Sequence, residues 1–115
     1  MKKENRITTN EFKLIKKAKY PKKQSNSNLF YLNYYKSNEI LNPKIAFIVR
    51  KKDVKLAVNR NKIKRLSRDI VRKKLNGINN GCYIFTLKSL SEEGFEKLNY
   101  EKVNFNINKN LSKIF

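Results

Sequence analysis

The segment Ala57–Leu75, AVNRNKIKRLSRDIVRKKL, leaves few folds open to this chain. At about 100° per residue it forms a helix with two unlike sides. With Arg60 set at zero, Ile63, Leu66 and Ile70 gather between about 240° and 300°. Arg60, Asn61, Lys64, Arg65, Arg68 and Arg72 spread over about 140° on the other side. A helix with so narrow an apolar stripe must lay it on another layer. The runs KIAFIVRKK before it and CYIFTLK after it read as strands, joined to it by KKDVKL and stopped from it by NGINNG, with Gly77 placed as a left-handed cap. The chain therefore holds a strand–helix–strand unit, and the continuous apolar run of the first strand predicts burial on both faces.

Upstream, TTNEFKLIKKA predicts a short helix, in which Thr8 and Glu11 have capping-box spacing and Phe12 and Ile15 share a face. YPKKQSNSN is polar and reads as a loop, and KSNEILNP as a turn. NLFYLNYY reads as a strand with Phe30, Leu32 and Tyr34 on one side and Tyr31, Asn33 and Tyr35 on the other. Downstream, SLSEEGFEKL reads as an irregular or single-turn piece. From about Asn99 a last helix places Tyr100, Val103, Ile107, Leu111 and Ile114 on one face. The expected order is helix, strand, strand, helix, strand, helix, an α+β fold with helices packed on one sheet. The 115 residues form a single domain, with no internal repeat and no linker.

Charge narrows the function. Lys+Arg is 28 against 9 for Asp+Glu, a formal +19, and more than half of that excess lies between Arg50 and Lys74. Charge of this size calls for a polyanionic partner, nucleic acid first and an anionic membrane surface second. Four of the six arginines lie on the long helix, while lysine dominates elsewhere. A guanidinium holds two phosphate oxygens in a planar fork; an ammonium is a point charge on a flexible stem. The ladder Arg60–Lys64–Arg68–Arg72 is like-charged at each i,i+4 step, which costs a free helix a few tenths of a kcal/mol per step. Such a face needs a partner.

Several classes are excluded. With no histidine and one cysteine, Cys82, the chain has no zinc set and no disulfide framework. Cys82 opens an apolar strand and reads as a core thiol. The only aspartates, Asp53 and Asp69, sit in basic surroundings, and Glu92–Glu93 read as a solvated turn, so a nuclease site within the chain is not expected. No apolar run approaches the length of a membrane span, and MKKENRITTNEF lacks the apolar core of a secretory signal.

RNKIKRLSR, Arg60–Arg68, resembles the R-N-x-x-K-R-x-x-R signature of the bacterial ribonuclease P protein component. KIAFIVRKKDVKLAV before it is similar to that family's central strand and connector, including Lys51–Lys52. The T-x-x-E-F helix start, the aromatic strand, the final strand and the C-terminal helix follow in the family's order, over about residues 5–112 of a domain spanning 1–115. The resemblance implies an α/β sandwich like the second domain of ribosomal protein S5, with a left-handed βαβ crossover against the usual rule. It implies a subunit of an endoribonuclease that removes the 5′ leader from precursor tRNA. The active site and most of the Mg2+ would belong to the RNA subunit, with no protein partner required and a cytoplasmic location.

By position, Arg60, Asn61, Lys64, Arg65, Arg68 and Arg72 would contact the RNase P RNA. Phe12, Phe30, Tyr31, Lys51 and Lys52 would line a cleft for the single-stranded leader, where aromatic stacking tolerates any base. Core packing is the other reading of Phe12 and Phe30. Lys16 and Asn33 stand where relatives often carry aromatics, and Ala46 where Gly is common. The alternative is a ribosome-associated or other structured-RNA-binding protein without a role in tRNA processing.

Overall fold

A computed structural model describes residues 6–7, 22–36 and 42–114. The helix expected over 8–18, and with it Phe12 and Lys16, lies outside the described residues. Four strands, β1 (Lys22–Asn26), β2 (Phe30–Tyr35), β3 (Pro43–Ile48) and β4 (Gly81–Leu87), form one sheet in the order β1-β2-β4-β3. β2 runs antiparallel to β1 and to β4, whereas β3 and β4 are parallel. Parallel neighbours need a crossover, and the long helix α1 (Ala57–Arg72) supplies it. A short helix α2 (Glu92–Glu96) and the C-terminal helix α3 (Tyr100–Ser112) complete the fold.

The alternation in β2 holds: Phe30, Leu32 and Tyr34 are buried, and Tyr31 is exposed. Their face, shared with Tyr83, Phe85 and Leu87 of β4 and Ile45 and Phe47 of β3, is where the helices pack. Phe85 meets Phe30 edge-on at 5.8 Å and stacks on Phe47 at 5.0 Å. From α1 come Ile63, Ile70 and Val71, and from α3 come Val103, Ile107 and Leu111. Each such side chain contributes about 1.5–3 kcal/mol when fully buried. β3 departs from the expected burial on both faces: Ile45 and Phe47 are buried, while Ala46 and Ile48 are only half-buried. Cys82 is buried, as expected.

β1 corrects the expected loop. KKQSN carries no apolar residue, so it has no hydrophobic period to read, yet its backbone pairs with the edge of β2. Its one buried side chain, Ser25, donates to the Asn110 carbonyl at 2.9 Å, and Asn110 Nδ2 donates back to Ser25 Oγ and to the Phe30 carbonyl, both at 3.2 Å. Lys113 Nζ reaches the Asn26 carbonyl at 2.7 Å, and Lys23 Nζ the Ile114 carbonyl at 3.2 Å. Polar contacts to α3 thus hold a strand that hydrophobicity does not announce.

Gly77 is a second correction. The last turn of α1 tightens instead of ending in a left-handed residue: Lys74 N–H bonds the Val71 carbonyl at 2.8 Å and Gly77 N–H bonds the Lys74 carbonyl at 3.0 Å. Among the described residues the positive φ belongs to Gly81, at 141°, where β4 begins. A Cβ there would lie 2.6 Å from the Tyr34 ring and 2.8 Å from the Tyr35 carbonyl oxygen. The segment expected to be irregular forms α2, capped by Ser91 Oγ accepting from Gly94 N–H at 3.0 Å. In α3, Val103, Ile107 and Leu111 are buried as expected, as is Ile114 just past its end; Tyr100 is exposed, and Asn106 and Asn110 are buried in addition.

Candidate RNA-binding surface

The buried arc of α1 is turned from the expected one. Ile70, at about 280°, Ser67, at about 340°, and Val71, at about 20°, are fully buried, and Leu66 is only half-buried. Ser67 reads as polar in the sequence, and this hid the rotation. Arg60 and Lys64 therefore stand at the margin of the core and are half-buried, as is Arg68; Asn61, Arg65 and Arg72 are exposed.

Arg60 has a second task. Its Nη1 donates to the carbonyls of Val54 and Lys55, both at 2.8 Å, so it braces the connector that leads into the helix. The helix start has no side-chain cap and no acid in its first turn. The outward cations are not neutralised from within. Asp69 lies 3.9 Å from Arg72 in an exposed pair, an arrangement worth little. The result is a rigid, anchored helix with an open arginine face, suited to a structured polyanion.

The opposite face of the sheet carries a different surface. A shallow groove there is lined by Gln24, Tyr31, Asn33, Arg50 and Thr86. Tyr31 is 48% exposed, with Lys88 Nζ 4.5 Å from its ring centre. Gln24 Nε2 donates to Asn33 Oδ1 at 2.9 Å. Lys51 and Lys52 are exposed in the turn that follows Arg50. Phe30 does not join this surface. It is 1% exposed and belongs to the aromatic core on the helix side, because adjacent residues of a strand point to opposite faces.

Arg50 links this groove to a neighbouring cavity lined by Asp53 and Ser89, a connection the sequence did not announce. Arg50 Nε donates to Asp53 Oδ2 at 2.6 Å, and Ser89 Oγ donates to Asp53 Oδ1 at 2.5 Å. The Asp53 carbonyl accepts from Leu90 N–H at 2.9 Å. The Ser89 hydroxyl first, then Arg50, hold the Asp53 carboxyl below the usual carboxylate range, against burial, which pushes it up. The i,i+3 spacing of Arg50 and Asp53 was the one signal in the sequence; Ser89 is 36 residues away and gave none. Among the described residues no three of His, Cys, Asp and Glu come together to hold a metal, and no helix is long and apolar enough to cross a membrane.

The family model for ribonuclease P matches residues 1–114. The chain belongs to the ribonuclease P protein family. It is similar to the RNase P protein component of Coxiella burnetii (strain Dugway 5J108-111), with 30% identity over 97 residues, covering 84% of this chain and 77% of that one. Its fold matches a Staphylococcus aureus RNase P protein mutant with defective mRNA degradation activity at a TM-score of 0.75, with 22% identity and coverage of 96% and 86%. It matches the Thermotoga maritima RNase P protein, in complex with 1-(4-fluorophenyl)-2-thiourea, at 0.74, with 24% identity and coverage of 91% and 94%. Membership decides between the two functions the sequence left open. The chain is a ribonuclease P subunit, it works in tRNA processing, and it associates with the RNase P RNA.

Proposed function

We propose that the exposed side of α1 binds the RNase P RNA and that the opposite face of the sheet receives the 5′ leader of precursor tRNA. Asn61, Lys64, Arg65, Arg68 and Arg72 make the first contact. Arg60 contributes through its Nε and Nη2 while its Nη1 braces the connector. Tyr31 makes the second, with Lys51 and Lys52, exposed in the turn after Arg50, adding positive charge to it. The observation that carries this reading is the α1 face itself, six polar and cationic side chains on a helix whose other side is locked into the core. A phosphate lattice fits that face, and stacking on Tyr31 suits leaders of varied sequence.

The bond-breaking step belongs, in this reading, to the RNA subunit. The described side chains offer no cluster that fits a catalytic magnesium, so no step is assigned to a metal held by this chain. The protein lowers the magnesium demand of the complex by placing cations against RNA phosphates. It works in the cytoplasm and needs no protein partner.

The test is cleavage of a precursor tRNA at low magnesium by a bacterial RNase P RNA, with and without this protein. Accurate 5′ cleavage restored by the protein is the expected result. Tight RNA binding with no rescue would remove the leader role and keep the α1 contact. Neither binding nor rescue would overturn the assignment of both surfaces.

A further inference from the structure

We propose that Arg50 is a phosphate-binding residue of the leader groove, set in place by Asp53 and Ser89. Three observations carry this. Arg50 lines the groove beside Tyr31, at the end of the strand that leads into Lys51 and Lys52. Its Nε is engaged by Asp53, while both Nη groups make no hydrogen bond among the described residues, and its side chain is 46% exposed. Every other residue of the lining, Gln24, Tyr31, Asn33 and Thr86 among them, is uncharged, so none offers a carboxylate to compete for those donors.

The Asp53 side chain is 4% exposed and accepts from Ser89 as well as Arg50. Its position is therefore fixed by segments on both sides of it. An arginine on a free stem loses rotamer freedom when it grips a phosphate; one already held through Nε loses less. The held guanidinium then presents its two Nη groups as a fork, which matches a phosphodiester. Beside the Tyr31 ring this makes one base-stacking place and one phosphate place, the unit a single-stranded RNA needs. Asp53 and Ser89 touch no RNA in this scheme and act as positioning residues.

The inference rests on the leader-binding reading above, and one experiment separates the two. The holoenzyme, reconstituted from this protein and an RNase P RNA, is given precursor tRNAs with a short and a long leader. Wild type is expected to bind the long-leader substrate more tightly. Arg50→Ala should lose about tenfold of that gain, the share of one charge-assisted contact, and its salt dependence should flatten by about 0.7 of a unit. Affinity for the RNase P RNA should stay unchanged. Arg50→Lys keeps the charge and the pair with Asp53; it should keep the salt slope and lose several-fold in affinity, and it serves if the alanine variant fails to fold. Asp53→Asn decides the sign. It makes the groove more positive, so a purely electrostatic role for Arg50 predicts tighter leader binding, whereas positioning predicts weaker binding. If wild type does not distinguish the two leaders, leader binding itself falls. If it does, and either Arg50 variant keeps the full gain or Asp53→Asn tightens binding, only the Arg50 assignment falls.

Discussion

The outer face of α1 is densely cationic, whereas the groove on the far side of the sheet sets one cation, Arg50, among uncharged side chains, and the two are built in opposite ways. The α1 face comes from one continuous segment; its geometry follows from helical pitch, and the core needs only to hold the helix still. The groove takes Gln24 from β1, Tyr31 and Asn33 from β2, Thr86 from β4 and Arg50 from the end of β3. It exists only when four strands are in register. A surface of the first kind tolerates loss of single residues. A surface of the second kind fails when any of its supports moves, even one that touches no RNA.

The largest effect should strike both surfaces. Ile70 is 0% exposed and anchors α1 to the sheet. Ile70→Ala is expected to cost about 2–5 kcal/mol of stability, read by urea unfolding. RNA affinity should recover when an osmolyte restores folding; if it does not, Ile70 acts on the RNA face directly. Asn110→Ala should separate the two surfaces. It removes bonds to Ser25 and the Phe30 carbonyl, at a cost of about 1–3 kcal/mol. Amide exchange should rise in β1 and leader binding should weaken before affinity for the RNase P RNA does. Equal losses on both sides would mean that the two surfaces share their supports.

Tyr31→Ala should weaken leader binding by about 1–3 kcal/mol and leave the RNA subunit's affinity alone, measured on long- and short-leader substrates. Arg65→Ala should do the converse. Affinity for the RNase P RNA falls and the salt slope drops by about one counterion unit, with the leader-length effect intact. The smallest effect concerns pH. The folded state holds the Asp53 carboxyl below its unfolded value of about 3.9. Its contribution to stability is therefore present above that value and is lost as pH falls through the lower, folded one. Acid unfolding of Asp53→Asn should be less steep below about pH 4 than that of wild type. Identical profiles would mean the Ser89–Asp53–Arg50 set contributes nothing to folding.

The arginine-bearing helix was legible because its information is local. Arg60 to Arg72 declare their face through pitch alone. What pitch could not fix was the angle at which the helix sits. Ser67 reads as polar, so the apolar stripe in the sequence stops short of it, and only packing on the sheet turned Arg60 and Lys64 to the core margin. β2 was legible through strict alternation, and that alternation already implied that Phe30 and Tyr31 could not line one surface. β1 was illegible because a polar edge strand bonds through its backbone. Its partners, Asn110 and Ile114, come 85 and 91 residues later.

By itself the sequence determined the mixed fold, the strand–helix–strand unit, the arginine face and, through its signature, the family. Only the tertiary structure decided that KKQSN is a strand, that Phe30 is core, that Gly81 and not Gly77 takes the positive φ, and that Arg50 faces a groove with Asp53 behind it. The physical reason is the range of the forces involved. Helical period and charge spacing act within a few residues and can be read along the chain. Ladder bonds and buried polar contacts join residues tens of positions apart, and no local pattern records them.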